Sequence, residues 1–248
     1  MNILERIKNL LRGIVAPQRP DLLAELRRRG ALIGEDVHVY SPSTTTIDAT
    51  CAYLLTIGNH VRITSGVRIL NHDYAWAAMK TYSSPQVQPG VILGGQGPVE
   101  IGSYVYIGMN AIITRGVKVG DHVIIGAGSV VTKDCESNAV YAGNPARKIC
   151  TMEEYIHRRK AQQFPEAREI ALRYRERMGK IPPMEIFDNY FQLFATREEA
   201  EKNPVFRAQM LRMDSLAETQ AYMDANLPMF SSYEAFLDAC YAPAHPAE

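Results

Sequence analysis

From residue 98 to residue 134 the chain reads Pro98-Val-Glu-Ile101-Gly102-Ser-Tyr-Val-Tyr-Ile107-Gly108-Met-Asn-Ala-Ile-Ile113-Thr-Arg-Gly-Val-Lys-Val119-Gly120-Asp-His-Val-Ile-Ile125-Gly126-Ala-Gly-Ser-Val-Val131-Thr-Lys-Asp134. An aliphatic residue returns every sixth position, usually with glycine after it, at Ile101, Ile107, Ile113, Val119, Ile125 and Val131. A period of six matches neither the 3.6 of an α-helix nor the alternation of a strand. It calls for very short strands joined by tight turns, stacked as a solenoid. Glycine, Asn and Asp supply the positive-φ turn positions such a path needs. Gly58-Asn59, Gly120-Asp121 and Gly143-Asn144 have that chemistry.

Working outward, Ile57-Gly58, Ile63 and Ile69 carry the same period. Counting back in sixes reaches Cys51, Thr45, Val39 and Ile33-Gly34, so the register is expected to hold from residue 33, weakened only at Thr45. The repeat breaks once. Between Ile69 and Ile101 lie 32 residues, five sixes plus two, and the stretch 71–97 carries Tyr74, Trp76, Tyr82, Pro85, Pro89 and Gly94-Gly95-Gln96-Gly97. A loop of that length in a solenoid is expected to leave the coil and cover a site.

After Ile149 the pattern changes. Thr151 and Glu154 have capping-box spacing, and helices are expected over 152–164, over 166–178 after Pro165, over Asp188–Thr196 and over Ser232–Cys240, the last capped by Ser231 or Ser232. Residues 1–29 read as amphipathic helices split by Pro17 and Pro20, with an apolar stripe at Leu4, Ile7, Leu11 and Ile14. The organisation is thus a helical segment 1–30, a solenoid 31–150 with its excursion 71–97, and a helical extension 151–248.

Lys plus Arg and Asp plus Glu number 27 each in 248 residues, so net charge offers no broad field for nucleic acid. Neutrality also favours a chain that buries surface in an oligomer. The four cysteines, Cys51, Cys135, Cys150 and Cys240, form no CxxC pair, which fits reduced thiols in a cytoplasmic protein rather than a disulfide scaffold or zinc site. No signal-peptide core precedes residue 20, because Glu5, Arg6, Lys8 and Arg12 interrupt it, and no run of about 18 apolar residues occurs. The helical tail from Met152 to Lys180 has eight Lys/Arg against five Glu. That excess reads as a solvated face with its apolar stripe packed inward, and membrane contact is not expected.

Of six histidines, His38, His60 and His122 are expected in solvent-facing turns of the repeat, His157 lies in a charged helical stretch and His245 in the tail. His72 is different: it stands where the coil breaks, in Ile69-Leu-Asn71-His72-Asp73-Tyr74. Imidazole titrates near neutrality, and an acidic neighbour can fix its tautomer, as a general base requires.

The segment 33–150 resembles the hexapeptide-repeat acetyltransferases, in the galactoside, maltose and polysaccharide O-acetyltransferase branch. The resemblance rests on Ile69-Leu-Asn-His-Asp-Tyr74 and on Ile125-Gly-Ala-Gly-Ser-Val-Val-Thr-Lys-Asp134 followed by Ala142-Gly-Asn-Pro-Ala-Arg147. It implies a left-handed parallel β-helix, a homotrimer with active sites between subunits, and acetyl transfer from acetyl-CoA to a sugar hydroxyl with His72 as base. An amine acceptor (amino sugar, amino acid or antibiotic) is the alternative. The resemblance places the acetyl-CoA groove at Tyr106, Gly108, Met109, Ala127, Thr132, Lys133 and Arg147, with the oxyanion donor a backbone N–H near Gly108. Met109 and Cys150 depart from relatives, which have a small residue and a second arginine there. Asn71, Asp73, Trp76 and Tyr82 are candidates for the acceptor, the aromatics equally for packing on a neighbouring subunit. No metal is expected. The spacings of 22, 12 and 50 from His38 through His60 and His72 to His122 lack the histidine pair of a γ-type carbonic anhydrase. A non-catalytic binding solenoid is the remaining rival, and the Lys133-to-Arg147 signature argues against it.

Overall fold

The computed structural model describes residues 22–243, so the stripe at Leu4 to Ile14, the breaks at Pro17 and Pro20, and His245 lie outside the described residues. The chain forms two compact units, divided between Tyr155 and Ile156.

In the first unit three sheets are visited in rotation. The first holds β1 (Leu32–Ile33), β4 (Leu55–Ile57), β7 (Val99–Ile101) and β10 (Lys118–Val119). The second holds β2 (His38–Val39), β5 (Arg62–Ile63), β8 (Tyr106–Ile107), β11 (Val123–Ile125), β13 (Ala139–Ala142) and β14 (Arg147–Thr151). The third holds β3 (Thr46–Ile47), β6 (Arg68–Ile69), β9 (Ile112–Ile113) and β12 (Val130–Val131). All pairs are parallel except β13 with β14. Ile101 pairs with Val119, Ile107 with Ile125 and Ile113 with Val131, so three hexapeptides complete each of these coils.

Residues two apart on a strand share a face. Each hexapeptide therefore sends two side chains inward: Val61 and Ile63, Val67 and Ile69, Val99 and Ile101, Val105 and Ile107, all buried. Burial of each Val or Ile contributes about 1.5–3 kcal/mol relative to exposure, and the helix Leu22–Arg28 adds Leu26 to the same core.

The corners explain the rest of the repeat. Asp36, His60, Tyr104, His122 and Asn138 hold positive φ at equivalent places, so the positive φ expected at Gly58-Asn59 and Gly120-Asp121 falls on the histidine after each pair, while Gly143 holds it as expected. Just before them, side chains bind amides of the preceding coil: Asn59 Oδ1 accepts from Glu35 N at 2.9 Å, and Asp121 Oδ1 from Ser103 N at 2.7 Å. At Gly58 a Cβ would come within 2.7 Å of the Gly102 carbonyl carbon, so only glycine fits that approach.

Four expectations are corrected here. The count in sixes fails before Ile57, because Ile47 and not Thr45 pairs with Ile69, while Ile33 pairs with Ile57. Thr44 and Thr45 both donate to Ser41 O and enlarge that corner. Cys51 is buried just before the 3-10 turn Ala52–Leu54 rather than on an inward strand position. His38 lies in β2 beside Arg62, and Asp36 takes the turn place expected of it. His60 does not face solvent. Its side chain is 14% exposed, its Nδ1 lies 2.9 Å from Asp36 Oδ2, and its ring stacks on Tyr104, which stacks on His122. Parallel coils lie one strand spacing apart, so rings at one corner position meet face to face.

In the second unit, Phe187, Phe194, Phe206 and Phe236 are buried together with Ala167 and Ala171. One helix, Met152–Met178, replaces the two expected, with Pro165 inside it. A mid-helix proline costs about 3 kcal/mol, and burial of Phe164, Ala167, Ile170 and Ala171 on both sides of it offsets that. The capping box forms, with Thr151 N to Glu154 Oε2 at 2.8 Å and Glu154 N to Thr151 Oγ1 at 3.2 Å. Arg159–Glu166 and Arg173–Glu169 pairs occupy part of the basic excess. Asp188–Thr196 is not a helix. It contains the 3-10 turn Phe191–Leu193, and Thr196 caps a separate helix, Arg197–Lys202. The helices Pro204–Met210 and Leu216–Ala225 were not anticipated. The last, Tyr233–Tyr241, starts at Ser232, whose hydroxyl accepts from Ala235 N. Among the described residues no helix is long and apolar enough to cross a membrane.

Candidate active site

The strands of the third sheet end side by side. Asp48 N donates to Ile69 O, Leu70 N to Ile113 O and Thr114 N to Val131 O, so Asp48, Leu70 and Thr114 hold one place in successive coils. Asp48 is the buried member, its side chain 5% exposed, and Oδ2 is hydrogen-bonded to His72 Nδ1. Its Oδ1 accepts from Thr50 N at 2.9 Å. Burial pushes the Asp48 carboxyl up, but the Thr50 amide and His72 outweigh it and hold it below the ordinary carboxylate range. An ionised carboxylate only accepts, so Nδ1 of neutral His72 carries the hydrogen and Nε2 keeps its lone pair. The Tyr74 ring packs edge-on against the imidazole, centroids 4.7 Å apart.

The excursion leaves and returns through a narrow neck. Asp73 N donates to Gly95 O at 2.7 Å and Gly97 N to Asn71 O at 2.9 Å, with His72 bridged to Gln96 between them. Asp73 Oδ2 pairs with Arg115 Nε, and Oδ1 accepts from Ala75 N at 3.0 Å. The Arg115 guanidinium, then the Ala75 amide, hold the Asp73 carboxyl below its usual range. A Cβ at Gly95 would meet the Asp73 carboxylate at 2.9 Å, which accounts for the glycine. Leu70, His72, Asp73, Thr114 and Arg115 line a cleft of about 330 Å³.

The other expected residues scatter around this cleft. Asn71 is 2% exposed and its Nδ2 donates to Cys51 O at 2.7 Å. Trp76 opens the short helix Trp76–Met79, with Lys80 Nζ 5.7 Å from its ring centre, and Tyr82 is exposed; neither lines the cleft. Tyr106 and Met109 are exposed on β8 and the corner after it. A Cβ at Gly108 would lie 2.5 Å from Ala127 N, so these two sit on adjoining coils. The Gly108 N–H donates to Ile125 O at 2.8 Å, so that amide is engaged in the ladder. Thr132 and Lys133 follow β12 and are exposed. Val130 N donates to Gly143 O and Ala146 N to Val130 O, which lays the stretch before Arg147 along β12. Burial pushes the Cys135 thiol up to about 12, far from a nucleophile.

Four residues of the site escaped the sequence: Asp48, Leu70, Thr114 and Arg115. Thr114 and Arg115 follow the inward Ile113 as Leu70 follows Ile69, and that alignment was available. Asp48 was hidden by the miscounted first coil, since it follows the strand only if Ile47 is the inward residue.

Residues 98–133 match the family model described as bacterial transferase hexapeptide (six repeats). Protein CapG of Staphylococcus aureus is 44% identical over 132 residues, which cover 53% of this chain and 72% of that protein. A chloramphenicol acetyltransferase of Klebsiella aerogenes is 35% identical over 105 residues, 38% of this chain and 50% of that one. Among solved structures, the polySia specific acetyltransferase NeuO shares 30% identity over 48% of each chain, with a TM-score of 0.33. The chain thus spans about half the length of the last two. With its six-residue core and the extent of its match to CapG, the chain belongs to the hexapeptide-repeat acetyltransferases, a family of acyltransferases.

Proposed function

We propose that this protein transfers the acetyl group of acetyl-CoA to a hydroxyl of a sugar or polysaccharide precursor, with His72 as general base. The observation that carries the reading is the buried Asp48 carboxylate on His72 Nδ1, at the edge of a cleft, which leaves Nε2 as the base. His72 takes the hydroxyl proton as the acceptor oxygen attacks the thioester carbonyl; the C–S bond then breaks and the proton passes on to the departing thiolate. A thiolate leaves readily, so no covalent enzyme intermediate is needed. Tyr106, Met109 and Ala127 would line the pantetheine arm, while Thr132, Lys133 and Arg147 would meet the nucleotide end, the two cations facing its phosphates.

The same reading takes the coil as left-handed, the protein as cytoplasmic, and the assembly as a homotrimer in which Trp76 and Tyr82 meet a neighbouring subunit or its acceptor. The solenoid 31–150 is the catalytic domain, and the helices that follow it from Met152 are an appended segment. Release of CoA thiol is the test, with galactose, maltose, N-acetylglucosamine, serine and chloramphenicol as acceptors, run for wild type and His72→Ala. The variant should lose about 10²–10⁴-fold in turnover while calorimetry shows unchanged acetyl-CoA binding. Retention of more than about a tenth of the rate refutes His72 as the base. Light scattering should give three times the chain mass, and a monomer at micromolar concentration refutes the shared site.

A further inference from the structure

Asn71 precedes His72 and is buried, 2% exposed. Its Nδ2 donates to Cys51 O at 2.7 Å and to Asp48 O at 3.4 Å, while its own backbone carbonyl accepts from Gly97 N. Its Oδ1 is buried without a hydrogen-bond partner. A buried unpaired carbonyl oxygen is a cost that a leucine of similar volume would avoid. What only the amide supplies at this place is a pair of N–H donors aimed at the two ends of the turn 48–51. That turn carries Asp48, and the strand end next to Asn71 carries His72.

We propose that Asn71 is a positioning residue for the reaction: its amide ties the turn bearing Asp48 to the strand end bearing His72, and so sets the carboxylate–imidazole pair. It acts through Asp48 and does not touch the acceptor. The proposal rests on the reading of His72 as base, and the measurements separate the two.

The direct readout is the titration of the His72 ring followed by NMR, which needs no acceptor. Asn71→Ala should move that titration in the same direction as Asp48→Asn. In the Asp48→Asn background, adding Asn71→Ala should leave it where it is, because the coupling is already gone. Turnover should follow the same logic, about tenfold lower in Asn71→Ala with KM for acetyl-CoA within about twofold, and no further loss in the double variant. Unchanged His60 and His122 resonances report an intact coil. A wild-type His72 titration in Asn71→Ala, or independent losses that multiply in the double variant, overturns the proposal. If His72→Ala stays active the base reading fails on its own, whatever Asn71 does. Should Asn71→Ala not fold, hydrogen exchange of the Asn71 side-chain amide in the wild-type protein decides: slow exchange is expected, and exchange as fast as an exposed amide overturns the assignment.

Discussion

The Asp48 carboxylate reaches His72 Nδ1 from 24 residues earlier in the chain, one coil back, so the acid that orients the imidazole and the imidazole itself belong to neighbouring coils. Asp48→Asn keeps the shape but removes the charge that holds Nδ1 protonated and Nε2 open. Turnover should fall about 100-fold or more, in the range of general-base loss, with KM for acetyl-CoA little changed. A loss under about threefold in the CoA-release assay is inconsistent with Asp48 orienting His72.

The corner glycines predict a graded stability series. Gly58→Ala puts a Cβ 2.7 Å from the Gly102 carbonyl carbon, and Gly102→Ala puts one 2.7 Å from that of Gly120. Neither neighbour can yield without opening the coil, so each change should cost about 1–3 kcal/mol or more. Gly94→Ala meets nothing within 4 Å and should stay within about 0.5 kcal/mol of wild type. Urea midpoints of the three variants check the order.

Arg115 and Asp73 close the neck of the excursion with an exposed ion pair, side chains 44% and 40% exposed. Such a pair contributes about 0–1 kcal/mol to global stability, yet it joins the excursion to the coil. Arg115→Ala should therefore leave Tm almost unmoved while proteolytic cutting within residues 74–94 speeds up. Equal cutting rates in wild type and variant count against the latch.

Acid should weaken the first unit. Burial opposes ionisation of Asp36, but Arg62 and His60 outweigh it and hold its carboxyl below the ordinary range, as Thr50 and His72 do for Asp48. A depressed folded-state pKa stabilises the protein above the unfolded value of about 3.9, and that stability is lost as pH falls through the lower folded-state value. Urea midpoints should be level near pH 6 and decline below about pH 4. Asp36→Asn should flatten the decline; an equally steep one in that variant argues against the assignment.

The six-residue period by itself determined the inward residues from Ile57 to Val131 and the place where the coil opens at His72. Those features are local: two inward side chains and one tight turn recur whatever the neighbouring coil does. Tertiary structure alone decided what pairs across coils. How many residues a corner absorbs depends on bonds such as Thr44 and Thr45 to Ser41, and those shifted the strand to Thr46–Ile47 and brought Asp48 to His72. The helix through Pro165 is the same lesson in the second unit, where burial of Ala167 and Ala171 overrode a local helix breaker. Likewise Asn71 read as a polar residue at a loop mouth, and only the fold showed it buried against Cys51. Periodicity is written in nearest neighbours, whereas register and burial depend on residues a full coil away.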